Sequence, residues 1–317
     1  DKSLYNIYAA RRLLGRLDIE CFKKTLNVIV ERHESLRTRF EASGKDVYQV
    51  IEESVEMPLL ISDLTDLKTD EEAETAIERI CQKESRFCFD LEKGPLVRVG
   101  LIRKSPDECV FHIVMHHIIS DGWSMGIFVS EVMQIYSALV QGYPFDLEVL
   151  PIQYADYASW QTDCLVKNVY QEQTRYWKER LDGIVPIELP YDFERPAVQT
   201  YQGKRTGFVL DSEVCAEIQT LCRDNHVTLY VVLIAVLKVL LYRYSHMTDV
   251  AIGTVNANRT RPEVQGLIGF FVNTLVLRSD LSGNPSFTDL LRQVKGVALG
   301  AYMNMDFPFE RLVDELG

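Results

Sequence analysis

Apolar positions change their period several times along the chain, and each change marks an element. Phe22, Leu26, Ile29 and Val30 recur at helical spacing behind Asp18, a good N-cap, which predicts an amphipathic helix over 19–32. The polar string Arg32-His33-Glu34-Ser35-Leu36-Arg37-Thr38-Arg39-Phe40 follows, and 46–51 reads as a strand. A second helix is predicted over 70–86, and strands over 96–102 and 110–115. Asp121-Gly122 breaks the strand pattern, after which Ile127, Val132, Ile135 and Leu139 return to near-helical spacing through 123–140. The local order there is strand, tight turn, helix.

Residues 181–204 are rich in Pro, Asp and Gly, the composition of a crossover between halves, with the hinge there or slightly earlier. Beyond it, 212–225 and 229–245 read as helices, 250–255 and 271–278 as strands, and 286–303 as a helix. Both halves mix helices and strands, so the expected class is α/β (mixed α+β), divided into an N-terminal lobe over 1–175 and a C-terminal lobe over 176–317. A chain of 317 residues exceeds the usual single core, which agrees with two lobes.

Composition narrows the classes. Hydrophobic residues make up 47% and charged residues 25%, as in globular proteins that bury a sizeable core. A net charge of -12 argues against a nucleic-acid surface, which needs clustered Lys and Arg. The longest apolar run, 229–242, is interrupted by Lys238 and short for a bilayer, and the first 20 residues have no leader pattern, so a cytoplasmic protein without a membrane partner is expected. Seven cysteines, none at CxxC spacing, indicate neither a disulfide framework nor a zinc ribbon.

The candidate chemistry gathers in Met115-His116-His117-Ile118-Ile119-Ser120-Asp121-Gly122-Trp123-Ser124, where a strand gives way to a helix. Side chains of adjacent extended residues diverge, so His116 and His117 take different roles, and a metal site from His116, His117 and Asp121 fails on direction. An imidazole in a cleft titrates near neutrality and can accept a proton from an amine or donate to an oxyanion. Ser120 lacks the G-x-S-x-G surroundings of an acyl-enzyme nucleophile.

The string 116–122 matches HHxxxDG, the signature of non-ribosomal peptide synthetase condensation domains, and the chain resembles that family at four further places. Arg32 to Phe40 resembles RHExLRTxF, and Tyr154-Ala155-Asp156-Tyr157-Ala158-Ser159-Trp160-Gln161 resembles YxDYAxWQ. Ile268 to Leu275, through Arg278, resembles IGxFVNTxxxR, and Asn304 to Glu310 resembles (H/N)QDxPFE, with Met305 in place of Gln. The family's most N-terminal segment and its RDxSRNPL segment are expected to lie before Asp1 and after Gly317, so the sequence reads as a fragment.

The resemblance implies two chloramphenicol-acetyltransferase-like lobes forming a V, with an active-site tunnel between them. It implies an amide-forming acyltransferase whose donor and acceptor peptidyl carrier proteins bring their groups on 4'-phosphopantetheine arms, beside an adenylation domain, with no cofactor bound by the domain itself. His117 is the residue expected at the reacting amine, as base or as positioning group, and the Gly122 N–H a second oxyanion contact. Asp121 is expected to be structural and paired with Arg278. Arg32 and Arg37 are expected to fix a helix end or, less simply, to serve the donor tunnel. Trp160 is expected to pack, and Asn273 to bond a substrate amide or cap a strand. The competing readings are an epimerisation domain, a coenzyme A-dependent acyltransferase and a non-catalytic docking or recruitment domain.

Overall fold

The computed structural model describes residues 3–44, 46–194, 196–201, 203–204 and 206–316. In chain order the elements are β1 (Asn6–Leu14), α1 (Ile19–Arg32), β2 (Thr38–Ser43), β3 (Asp46–Ile51), β4 (Leu59–Asp63), α2 (Asp70–Ser85), β5 (Val97–Ser105), β6 (Glu108–His116), α3 (Gly122–Gln141), α4 (Tyr154–Val166), α5 (Gln171–Leu181), α6 (Ser212–Asp224), α7 (Leu229–Ser245), β7 (Asp249–Asn256), α8 (Pro262–Gln265), β8 (Asn273–Asp280), α9 (Phe287–Met303) and α10 (Phe309–Leu316). The chain forms two compact units.

The first unit runs to Asp163 and takes in Arg259–Phe271. Its sheet has the order β1-β6-β5-β4, antiparallel except for the β4–β5 pair. α1 starts where Asp18 caps it, its carboxylate accepting the Cys21 N–H at 2.9 Å. Phe22, Leu26 and Ile29 of α1 and Phe128, Val132 and Ile135 of α3 bury against Val97, Val99, Ile113 and Met115 of the sheet. Full burial of each such side chain is worth roughly 1.5–3 kcal/mol. On the opposite face α2, opened by a Thr69/Glu72 capping box, sets Ile77 against Ile102 and Val110. β6 is therefore covered on both faces. α3 is 20 residues long and, by length and composition, apolar enough to cross a bilayer. Its Asp121 cap and its ion-paired Glu131 tie it instead to the packing of this unit.

The second unit comprises Cys164–Asn258 and the chain from Val272. β7 and β8 pair antiparallel, Asp249 opposite Asp280, and α7 and α9 supply Val232, Ala235, Leu291, Val294 and Ala298 to a core shared with Leu275 and Leu277. Trp177 of α5 is 2% exposed and donates its indole N–H to Asn304 O at 2.7 Å.

The division differs from the expected 1–175 and 176–317. Position 175/176 falls inside α5, whose Trp177 and Leu181 are core residues of the second unit. Residues 259–271 return to the first unit because Val264, Leu267 and Phe271 cluster with Tyr157. Beyond Leu181, the last residue of α5, the described residues of the Pro/Gly-rich run to 204 are irregular, and Arg195 and Gln202 lie outside the described residues. A composition shift marks where the chain lacks regular structure, not where packing changes partner.

Lys238, which breaks the apolar pattern of α7, is fully buried and donates to Val250 O at 2.8 Å and Leu277 O at 2.5 Å. Burial pulls its pKa down from 10.5 to about 8, with Arg180 adding to the effect. Between those two values the unfolded chain binds more protons than the folded one, so this group makes stability rise with pH across that window. Relative to Lys238→Met, the parent is expected to gain up to about 3 kcal/mol from pH 8 to 10.5. Urea unfolding at half-unit pH steps checks this, and parallel curves for the two proteins would reject it.

Candidate active site

The end of β6 sets the geometry. His116 is its last residue, extended at φ -73° and ψ 137°, and its Nδ1 accepts the Ile118 N–H at 3.1 Å. That bond leaves the proton on Nε2. The His116 ring is buried beside Tyr5 and Phe89. His117 opens a short 3₁₀ turn over His117–Ile119, with its backbone N–H bonded to Tyr5 O at 2.7 Å. Its half-buried ring meets Phe270 edge-to-face at 4.9 Å between centroids. His117 Nδ1 is buried and has no hydrogen-bond partner among the described residues.

Burial pushes the pKa of His116 down, assisted by His117, and burial does the same to His112. Both folded values lie below the ordinary 6.5, so their contribution is complete above that pH and is lost as pH falls below it. The melting temperature is expected to drop as pH falls below 6.5, ahead of carboxylate protonation, and His112→Leu to flatten that limb. An identical acid limb in the variant would refute the assignment.

Asp121 is fully buried and caps α3. Its Oδ1 accepts the Ser124 N–H at 2.8 Å, lies 2.7 Å from Ser124 Oγ, and accepts from Arg259 Nη2 at 3.1 Å. Its Oδ2 accepts the Phe271 N–H at 3.1 Å and faces Arg259 Nη2 at 3.3 Å. Arg259 Nη1 donates to Val264 O and Leu267 O at 2.7 and 2.6 Å, and its guanidinium lies 4.1 Å from the Phe271 ring centroid. Ser124 Oγ also accepts the Gly269 N–H at 3.1 Å. Tyr154 donates to Phe270 O at 2.8 Å and the Trp123 indole to Gln265 O at 3.0 Å. This lattice holds 265–271 in place and brings the Phe270 ring to His117.

The expected Asp121–Arg278 pair is thus corrected. Arg278 belongs to the second unit, where Nε and Nη2 bind Asp249 at 2.9 and 2.7 Å and Nη1 donates to Arg180 O and Asp182 O. Sequence reasoning does not find Arg259, which lies outside every recognised motif, because pairing across 138 residues leaves no local trace. Ser124 sits two residues beyond the HHxxxDG signature, yet its part in this lattice is visible only once the chain is folded.

Gly122 is the first residue of α3, where backbone N–H groups have no intrahelical partner, and the space around its Cα is open. With Trp123, Gly126, Ile127, Ser130 and Glu131 it lines an open groove of about 510 Å³ along one face of α3. Ser120 is fully buried, with Oγ 3.4 Å from Asp121 O. Asn273 uses its whole amide internally, donating to Met305 O and Phe307 O and accepting from Thr274 N and Phe309 N. It caps β8 and fixes the 305–309 turn, which leaves it nothing to offer a substrate amide. Arg37 grips carbonyls of Val30, Glu31, Glu52 and Glu53 at the end of α1. Arg32 bonds Glu131 Oε1 at 3.0 Å and Glu148 O at 2.5 Å. Glu131 also meets buried His33 Nε2 at 2.9 Å, and these partners keep its carboxyl below the usual range against the opposing effect of burial. Trp160, expected to pack, is 37% exposed, with Arg261 over its ring at 4.5 Å.

Comparison with known proteins bears on this site. The family described as Condensation domain matches residues 1–317. Chondramide synthase cmdD of Chondromyces crocatus is 41% identical over 98% of the chain, which spans 8% of that protein. Phosphinothricin tripeptide synthetase PhsC of Streptomyces viridochromogenes is 39% identical over 99% of the chain, which spans 29% of it. Among solved structures, the X-domain from teicoplanin biosynthesis superposes with a TM-score of 0.87 at 28% identity, covering 98% of this chain and 69% of that one.

Proposed function

The chain belongs to the condensation-domain family of non-ribosomal peptide synthetases, and from that premise we propose that it joins a donor acyl or peptidyl thioester to the amine of an acceptor aminoacyl thioester. Each substrate arrives on the phosphopantetheine arm of a carrier protein, and an adenylation domain adjoins. The observation that carries this reading is the division between His117 and Asp121. Both carboxylate oxygens of Asp121 are engaged by Arg259, Ser124 and Phe271, so no His–Asp dyad forms and the imidazole works without a carboxylate behind it.

The favoured tautomer follows from the same surroundings. Nδ1 of His117 is buried without a partner among the described residues, and in this reading the neutral ring carries its proton on Nε2. In that form His117 donates a hydrogen bond instead of accepting a proton. A free α-amine has a pKa of about 7.7–8.0, so an appreciable fraction is already nucleophilic near neutrality. The amine attacks the thioester carbonyl, a C–N bond forms, and the oxygen becomes an oxyanion held by His117 Nε2–H and the Gly122 N–H. Collapse breaks the C–S bond, and the departing thiolate takes up the proton released by the nitrogen. Loss of one such donor costs on the order of 10²- to 10³-fold in rate.

The test is to mix the protein with a donor carrier loaded with an acyl thioester and an acceptor carrier loaded with an aminoacyl thioester, then weigh the acceptor arm by mass spectrometry. Gain of the donor mass as an amide is expected. Stereochemical inversion of one loaded residue alone, or transfer only from acyl-coenzyme A, would replace the reading.

A further inference from the structure

Between α2 and the sheet lies a polar layer that the chemistry above does not use. Strand alternation builds it. Tyr8, Val114 and Arg98 stand opposite one another across β1, β6 and β5, as do Ala10, His112 and Gly100 one pair further along, and Asn6 faces His116. Asn6 Nδ2 donates to Ser85 O at 3.0 Å and Phe87 O at 2.7 Å, closing the C-terminal end of α2, while its Oδ1 is buried with no partner among the described residues. The Tyr8 hydroxyl is likewise buried, beside the Cys81 thiol, a weak hydrogen-bonding partner, and near Glu84, and burial raises its pKa. His112 is 2% exposed, its imidazole laid over Gly100, where any Cβ would collide with it, and its Nδ1 has no partner among the described residues.

Two unpaired polar atoms among the described residues, and a hydroxyl with a thiol beside it, share this buried face, and buried donors and acceptors are almost always satisfied by protein or by ordered water. Tyr8 and His112 are diagonal neighbours, two positions apart in the β1–β6 register, a span that long side chains bridge. The chemistry of the set selects the ligand. A carboxamide oxygen, a phenol and an imidazole that burial keeps neutral carry no net charge, and the nearby Arg98 is already bonded to Glu84 at 3.0 Å. An ion finds no countercharge there. A small neutral molecule able both to donate and to accept fits.

We propose that Asn6 Oδ1, the Tyr8 hydroxyl and His112 Nδ1 form an internal hydration site between α2 and the sheet, holding one or two ordered waters. The water donates to Asn6 Oδ1 and completes the bonding of Tyr8 and His112. It thereby ties β1 to β6 immediately before the strand delivers His116 and His117, whose backbone leans on the same end of β1 through the His117–Tyr5 bond.

A crystal structure of the protein at a resolution that orders internal water is expected to place an oxygen within about 3.2 Å of at least two of the three atoms. A direct Tyr8–His112 bond, or apolar packing with no density at those atoms, would overturn the proposal. In solution, Tyr8→Phe removes one oxygen from the set and is expected to shift the His112 imidazole ¹⁵N resonances while leaving those of His246, on the second unit, in place. Unchanged His112 resonances would mean that no water is shared between the two residues. Neither readout depends on amide-forming activity.

Discussion

His117→Ala is expected to keep the parent's melting temperature and to lose amide formation by on the order of 10²- to 10³-fold. The first half follows from how little the side chain does for the fold: among the described residues its Nδ1 makes no hydrogen bond, and its aromatic contact is the edge of Phe270. The second half follows from its place as an oxyanion donor in the proposed mechanism. His117→Gln separates the two roles open to the imidazole. The Gln amide reaches the position of Nε2 with a donor but cannot act as a base near neutrality, so a donor role predicts that Gln recovers part of the rate lost in Ala. Equal inactivity of the two variants, with both folded, would restore the base mechanism. Product masses on the acceptor arm and thermal melts of each variant supply both readouts.

Asp121→Ala is expected to behave in the opposite way, as a folding defect. The Asp121–Arg259 pair is 0% and 1% exposed at its side chains, and truncating one member of such a pair leaves an uncompensated charge, at a cost of roughly 3–5 kcal/mol. Arg259→Ala should reproduce the loss, and removing both partners should cost less than the sum of the single changes, because the second removal relieves the orphan left by the first. Arg278→Ala tests the corrected assignment. It breaks a partly exposed bond to Asp249 and should show no coupling to Asp121→Ala. Equal melting temperatures for Asp121→Ala and the parent would reject the structural role altogether.

Where a segment's stability is settled among neighbours in sequence, its bounds are legible. α1 and α7 fall on their predicted spans, because an N-capping side chain and a helical apolar face declare themselves within one stretch of chain. β1, β4, α4, α5 and α10 are not evident from the pattern. β1 shows why: Asn6 to Leu14 has no clean alternation, and what makes it a strand is its pairing with β6, far along the chain. The polar exceptions are equally telling. Lys238 and Glu131 interrupt apolar helices, and only the carbonyls at Val250 and Leu277, or the Arg32 and His33 side chains, explain how they are buried.

At the centre the same line divides the result. Residues 115–124 with four further motif stretches disclosed the family, and 115–124 by themselves the divergence of two adjacent histidines and the strand–turn–helix that aims them, since each of these is set by residues in immediate succession. Which arginine neutralises Asp121, that Asn273 is consumed by its own turn, and that His117 lacks a partner at Nδ1 among the described residues were decided by the tertiary structure alone. Hydrogen bonds and ion pairs act over about 3 Å, and a linear order of residues carries no record of which distant groups folding brings within that distance.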